Sequence, residues 1–243
     1  MKFTVTSERP GSVKTGCVIL GVYEHRTLSS AAADFDKTTG GLLKKVLKDG
    51  DMDGSSGQTV MLHYPAGANC ERVMLLGCGK ASEFNVRAYQ QAVSSAAVAV
   101  NASGTNDAVS YLAELEVPGR TSYQKVRALV EGTRSAAYTP DALKSKKDQP
   151  LRPIRRLVIG VDTADKSSAR KALTEGEAIA SGVERARTLG DLPGNICTPS
   201  YLADQARALG KSSDKLTVSV MSEAGMEKLG MGSLLSVSRG SRQ

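Results

Sequence analysis

Apolar and polar positions follow two rhythms along the chain. Phe3–Thr6 and Cys17–Tyr23 read as strands, the second an unbroken apolar run (CVILGVY) of the kind buried on both faces of a sheet. Leu28–Leu47 reads as helix, broken at Gly40–Gly41. Thr59–His63 and Arg72–Leu76 are short strands, separated by YPAGANCE, whose Pro and Gly supply a turn. Asn85–Ala102 is a long Ala-rich helix, Ala108–Leu112 a strand, Tyr123–Tyr138 a helix and Leu157–Val161 a closing strand. Strands interleaved with helices of this length predict an α/β sandwich with a mostly parallel or mixed sheet.

The rhythm changes after Asp162. Ser168–Leu192 is predicted as one helix, with Ala172, Leu173, Ile179, Val183, Ala186 and Leu189 on a stripe and Lys171, Glu175, Glu177, Glu184, Arg185 and Arg187 opposite. Such a helix can bridge two domains, and its stripe, Ile179 and Val183 included, asks for a partner surface. Pro193–Gly194 stops it. Thr198 is placed to cap a new helix with Pro199 at its first position. Leu216–Met221 reads as a strand. Ser222 caps a short helix that Gly230 ends, with Met221 and Met226 as a hydrophobic staple. The partition is an N-terminal domain over 1–162, a linking helix over 163–192 and the opening of a second α/β domain over 193–243. The last segment is too short to close a core alone, so the rest of that domain is expected to lie beyond it.

Composition narrows the classes of function. Of 243 residues, 40 % are hydrophobic and 23 % charged, which fits a folded globule rather than a disordered chain. Trp is absent and Tyr plus Phe are few, so stacking platforms for single-stranded nucleic acid are not expected. No apolar run reaches the length of a membrane span, and the N-terminus has no secretory h-region. A cytoplasmic location is expected, with no membrane partner. Cys17, Cys70, Cys78 and Cys197 are scattered and read as small buried hydrophobes in a reducing compartment.

The search for chemistry mostly returns structural readings. His25 and His63 have no neighbouring ligand, and neither HExxH, CxxC nor GxSxG occurs. Gly77 and Gly79 in LLGCGK (Leu75–Lys80) could aim amides at an anion, but read better as a tight strand-to-helix turn. Asp49, Asp51 and Asp53 copy half of a calcium loop whose twelfth position, which should be a bidentate Glu, is Val60; a solvated acidic turn is the better reading. Lys144–Arg156 holds six basic residues and one acidic, an exposed loop that could alternatively meet the phosphates of DNA.

Four segments together resemble the cytosolic leucyl aminopeptidase family, the PepA-type metallopeptidases: GDMDGSSGQTVML (50–62), RVMLLGCGKASEFN (72–85), ARTLGDLPGNICTPSYLADQA (186–206) and MEKLGMGSLLSVSRGS (226–241). The third is the most specific, carrying Leu189, Pro193, Asn195, Thr198 and Pro199 of the family's pattern, with Asp191 where Asn is usual. The resemblance implies a macro-domain-like N-terminal sandwich with a mixed sheet, a long linking helix and the start of an α/β metallopeptidase catalytic lobe. It implies a metal-dependent exopeptidase that releases N-terminal amino acids from peptides, leucine preferred, assembled as a homohexamer. Two divalent metals, manganese or zinc, would activate a water in the catalytic lobe. The stretches that hold those metals in the family, resembling VGKGITFDSGG and NTDAEGRL, do not occur among these residues. No catalytic, cofactor-binding or metal-ligating role is therefore assigned to any position, and the 243 residues alone are expected to be inactive. Two rival readings are a DNA-binding regulatory protein of the same family and a macro-like nucleotide-binding module using Gly77–Lys80.

Overall fold

The computed structural model describes residues 1–140, 143–145 and 154–240. The strands are β1 (Lys2–Thr6), β2 (Val18–Tyr23), β3 (Thr27–Leu28), β4 (Thr59–His63), β5 (Arg72–Gly77), β6 (Asp107–Ser110) and β7 (Arg156–Gly160). The helices are α1 (Ser30–Thr38), α2 (Leu42–Asp49), α3 (Val86–Ala102), α4 (Ser122–Ala137), α5 (Lys166–Asp191), α6 (Pro199–Lys211), α7 (Glu223–Lys228) and α8 (Gly232–Ser238).

The strands form one mixed sheet in the order β1-β7-β6-β2-β5-β4, with β3 folded back on β2. Neighbours from β1 to β5 along that order run parallel, and β4 closes its edge antiparallel to β5. The unbroken apolar runs mark the strands covered on both faces. Val18, Leu20 and Val22 of β2 and Val73 and Leu75 of β5 join a core with Phe35, Leu43 and Leu47 of α1 and α2. The intervening Ile19, Met74 and Leu76 join an opposite core with Val93, Leu129 and Ala172 of α3, α4 and α5. The period of two along each strand thus supplies both layers.

Local chemistry fixes the helix ends. The Asn85 side chain accepts from the Arg87 and Ala88 amides at the start of α3, and Thr121 and Gln124 form a reciprocal capping box on α4. Helix α2 follows Gly41, which has no side chain to offer. Its first amides are met instead by buried Asp36 of α1, which accepts from Leu43 N at 2.8 Å and Lys44 N at 3.1 Å.

By packing, the chain divides into two units, Met1–Gly182 and Val183 onward, with the division falling inside α5. In the first unit the buried side of α5 is made of Ala169, Ala172, Leu173, Gly176 and Ala180. Ile179 and Val183, expected inside, are 40 % and 48 % exposed. The reason is close approach: a Cβ at Gly176 would stand 3.1 Å from Val130 Cβ of α4, so small residues face the neighbour and Ile179 is turned off it. In the second unit Leu216–Met221 is not a strand. All strand pairing among the described residues lies in the sheet of the first unit. Without a neighbour for its backbone groups the segment is a loop, turned by Leu216 N donating to Ser213 O at 3.1 Å. The basic stretch Lys144–Arg156 lies mostly outside the described residues. Of its described residues, Lys144 and Ser145 are exposed and outside any helix or strand, as expected of a loop, whereas Ile154 is buried and Arg156 opens β7 and donates from Nη2 to Asp107 Oδ2 at 3.1 Å.

Candidate functional site

The Gly77–Lys80 turn sits at the carboxyl end of β5, where an open α/β sheet takes ligands. Its amides are already committed. Gly77 N donates to Gln58 O and Cys78 N to Val22 O, both at 2.7 Å, and Gly79 N donates to Gly54 O at 2.9 Å. A Cβ at Gly77 would collide with the Ser55 carbonyl, and one at Gly54, whose φ is 92°, with that of Tyr23. The glycines therefore let the Asp53–Gln58 loop lie backbone against backbone on the strand ends. The Lys80 ammonium pairs with Glu83 at 3.0 Å. The turn is a structural latch, with no amide among these three left to cradle an anion.

The three aspartates of the preceding loop do not converge on one point. Asp49 ends α2, with Gly50 as its left-handed cap. Asp53 accepts from Ser55 N at 2.9 Å, and hydrogen bonds from Ser55 hold its carboxyl below the ordinary range. Between them Met52 is fully buried. Gln58 Oε1 closes the loop by accepting from Asp53 N at 3.2 Å and Gly54 N at 3.3 Å. Among the described residues no group of three or more His, Cys, Asp or Glu is arranged to hold a metal ion. His25 sits in the β2–β3 turn at φ 58°, and His63 ends β4 beside Tyr64. Burial pushes the Cys17 and Cys78 thiols up to about 12 and Cys70 to about 11, so none of the three is an activated nucleophile.

One group that the sequence did not single out stands at the other strand ends. Glu114, in a short 3-10 turn after β6, is half-buried, and its carboxyl is pushed up to about 7. Burial is the main cause, followed by Asp162 and Asp34. No local pattern marks it, because its surroundings come from α1, α4 and the segment after β7.

In the second unit, Leu189 to Pro199 make a helix stop and a helix start. Helix α5 ends at Asp191, the Pro193 carbonyl accepts from Ile196 N and Cys197 N at 2.9 Å, and the Thr198 side chain caps α6 by accepting from Tyr201 N at 3.3 Å. Beyond it an open groove of about 950 Å³ is lined by Ala203, Val220, Met221, Met226, Leu234 and Val237, among others.

The profile of the cytosol aminopeptidase family, N-terminal domain, matches residues 19–147, and that of the same family's catalytic domain matches residues 184–243. The chain belongs to the cytosol aminopeptidase family. Among cytosol aminopeptidases, the protein of Thioalkalivibrio sulfidiphilus named "Probable cytosol aminopeptidase" is 45 % identical over 100 % of this chain and 49 % of its own length. The protein of the same name from Idiomarina loihiensis is 42 % identical over 99 % of this chain and 48 % of its own. The chain thus spans about half the length of the curated relatives it matches. A solved tomato leucine aminopeptidase variant superposes with a TM-score of 0.77 at 19 % identity, over 100 % of this chain and 49 % of that one. The bottromycin maturation enzyme BotP in complex with Mn superposes with a TM-score of 0.71 at 23 % identity, over 94 % and 43 %. These likenesses show the fold, a mixed α/β sheet with a long helix leading into further helices.

Proposed function

We propose that this chain is the N-terminal portion of a leucyl-aminopeptidase-like, metal-dependent exopeptidase that releases N-terminal amino acids from peptides in the cytoplasm. The supporting observation is that both domains of one family match in their family order within a chain 45 % identical, along its whole length, to a relative of that name. In this reading residues 1–162 are the N-terminal domain, 163–192 the linking helix and 193–243 the opening of the catalytic domain. The first unit is non-catalytic and supports a homo-oligomer, with a hexamer as the specific assembly. Contact with DNA is the finer partner reading, supported only by the net charge of +7 and tested by a steep salt dependence of binding.

The described residues do not fit a two-metal centre. They offer no cluster of three ligating side chains, and Asp204 of the second unit is paired with Arg207 at 2.7 Å. No catalytic, cofactor or metal role is therefore proposed for any position, and no step is routed through a metal. The test joins this chain, at its last residue, to the complementary half of the Thioalkalivibrio sulfidiphilus relative and measures hydrolysis of leucine-p-nitroanilide with manganese or zinc. Turnover by the fusion, none by the 243 residues alone and an oligomer by light scattering are expected. A folded, metal-loaded fusion without turnover would overturn the reading.

A further inference from the structure

Helices α3 and α4 follow β5 and β6, two strands that both run parallel to β2, so the helices start side by side at the carboxyl ends of the sheet. They approach closely at Gly132 of α4, where a Cβ would stand 2.8 Å from Val93 Cγ1 of α3. On the N-terminal side of that contact a cleft of about 390 Å³ lies between them, lined by none of the residues of the Gly77–Lys80 turn. A cleft of this size holds a small molecule. Its apolar lining comes from Tyr89 and Val117, which are buried, and from Val86 and Ala128, which are half-buried.

The polar lining divides into groups that are engaged and groups left over. The Tyr89 hydroxyl donates to the Lys125 carbonyl at 3.1 Å, and Lys125 Nζ donates to the Leu115 carbonyl at 2.9 Å while keeping its charge. Gln124 Oε1 accepts from Thr121 N at 3.0 Å in the capping box. Arg127 Nε meets Glu131 Oε1 at 2.7 Å, and the Tyr123 hydroxyl donates to Glu175 of α5. Left over are the Arg120 guanidinium, the Gln90 amide group and Gln124 Nε2, for which the described residues supply no partner. All three can donate, and the guanidinium can only donate. Three cations, Arg120, Lys125 and Arg127, face one carboxylate, Glu131. The cleft therefore combines an apolar lining with unused donors and an excess of positive charge.

We propose that this cleft binds a small organic carboxylate with an apolar body, the body lying on Val86, Tyr89, Val117 and Ala128 and the two oxygens taking the fork of Arg120. A guanidinium offers two parallel N–H groups to the two oxygens of a carboxylate, which fixes the orientation of the bound molecule as well as its charge. A neutral alcohol of the same shape keeps the apolar contact and loses this pairing. A phosphate monoester keeps the pairing but brings a second negative charge into a cleft that already holds Glu131. The site lies wholly in the first unit, so its occupancy does not depend on the exopeptidase activity.

The test uses the full 243-residue chain and three probes of one body: 4-phenylbutanoate, 4-phenylbutan-1-ol and 3-phenylpropyl phosphate. Each is titrated into the nitrogen-15-labelled chain and followed by amide NMR. The carboxylate should give saturable shifts over 86–90 and 117–131, and the alcohol and the phosphate should bind there several-fold more weakly. Arg120→Gln, at an exposed position, should weaken the carboxylate to the level of the alcohol and leave the alcohol unchanged. Arg120→Lys keeps the charge without the fork and should recover only part of the loss. Arg87→Gln, at an exposed cation of α3 outside the cleft, should change nothing. Alcohol or phosphate bound as tightly as the carboxylate, carboxylate binding unaltered in Arg120→Gln, or no saturable shift in these two segments overturns the proposal.

Discussion

The helices of the two units carry similar amphipathic patterns, yet they meet different surroundings. In the first unit α1 to α4 each lay an apolar stripe on the sheet, and Phe35, Leu43, Val93 and Leu129 are buried completely or nearly so. In the second unit the Thr198 and Ser222 side chains cap α6 and α7, and α8 starts without a side-chain cap, but none of the residues of the three helices is buried. Leu202 and Leu209 of α6 and Leu234 and Val237 of α8 remain exposed. Caps and turns are decided within a few residues of sequence, whereas burial is decided by a surface supplied from elsewhere. The family's catalytic-domain profile matches this second unit, and the relatives run to about twice the length of the chain. What separates the units is therefore the presence of a sheet beneath the helices rather than the quality of the helices.

Proteolysis gives the widest contrast. Trypsin should cut at Arg207, Lys211, Lys215 and Lys228 far sooner than at Lys44 or Arg87, because cleavage follows the population of locally opened chain and, among the described residues, the buried apolar clusters lie in the first unit. Mass spectrometry of a short digest should return a resistant fragment ending beyond β7. Equal survival of all six sites would mean that the second unit is as well held as the first, and the comparison would fail.

Core truncation sharpens the same contrast energetically. Phe35 is fully buried between α1, α2 and the sheet, so Phe35→Ala should cost ~3–5 kcal/mol in a denaturant titration. Leu234, 52 % exposed, should cost no more than about 0.5 kcal/mol as Leu234→Ala. A large loss at Leu234 would show that α8 is covered.

How much of this was legible depends on how local each determinant is. The helix opening at Asn85, the Thr198–Pro199 start and the break at Gly40–Gly41 appear where their side chains or backbone freedom require. The unbroken apolar run of β2 likewise announced a strand buried on both faces. Leu216–Met221 misled because β-branched alternation describes a residue's fitness for a sheet and cannot supply the neighbouring strand. The latch of Gly54 and Gly77 was readable as a turn, but the Ser55 and Tyr23 carbonyls that make glycine necessary come from other parts of the chain. Glu114 was invisible for the same reason. The family resemblance was legible because its motifs keep their order, and it was equally plain that the metal-binding stretches were not among them.

Asp36 tests a determinant that lies between local and distant. Its carboxylate is seven residues before the amide it caps and is buried between two helices. Asp36→Ala should cost about 1–3 kcal/mol, since it removes the cap of α2 and leaves the Leu43 and Lys44 amides without their acceptor. Asp36→Asn keeps one acceptor oxygen and should recover part of the loss, which two thermal melts would show.

The smallest effect is the most discriminating for α5, because its two candidate faces predict opposite rankings. If the large apolar residues made the contact, Ile179→Asp would place an unpaired charge in a packed surface and destabilise strongly. The structure assigns the contact to the small residues instead: Ala172 is fully buried and Ile179 is 40 % exposed. Ile179→Asp should therefore cost less than about 1 kcal/mol, mostly helix propensity and partial apolar burial. Ala172→Leu, a gain in apolar surface on paper, should cost ~1–3 kcal/mol by forcing the helix off the neighbours it packs against. The charge on the large residue should thus be tolerated better than the apolar enlargement of the small one. The reverse order in a pair of urea titrations would return Ile179 to the interface and move the boundary between the two units further along the helix.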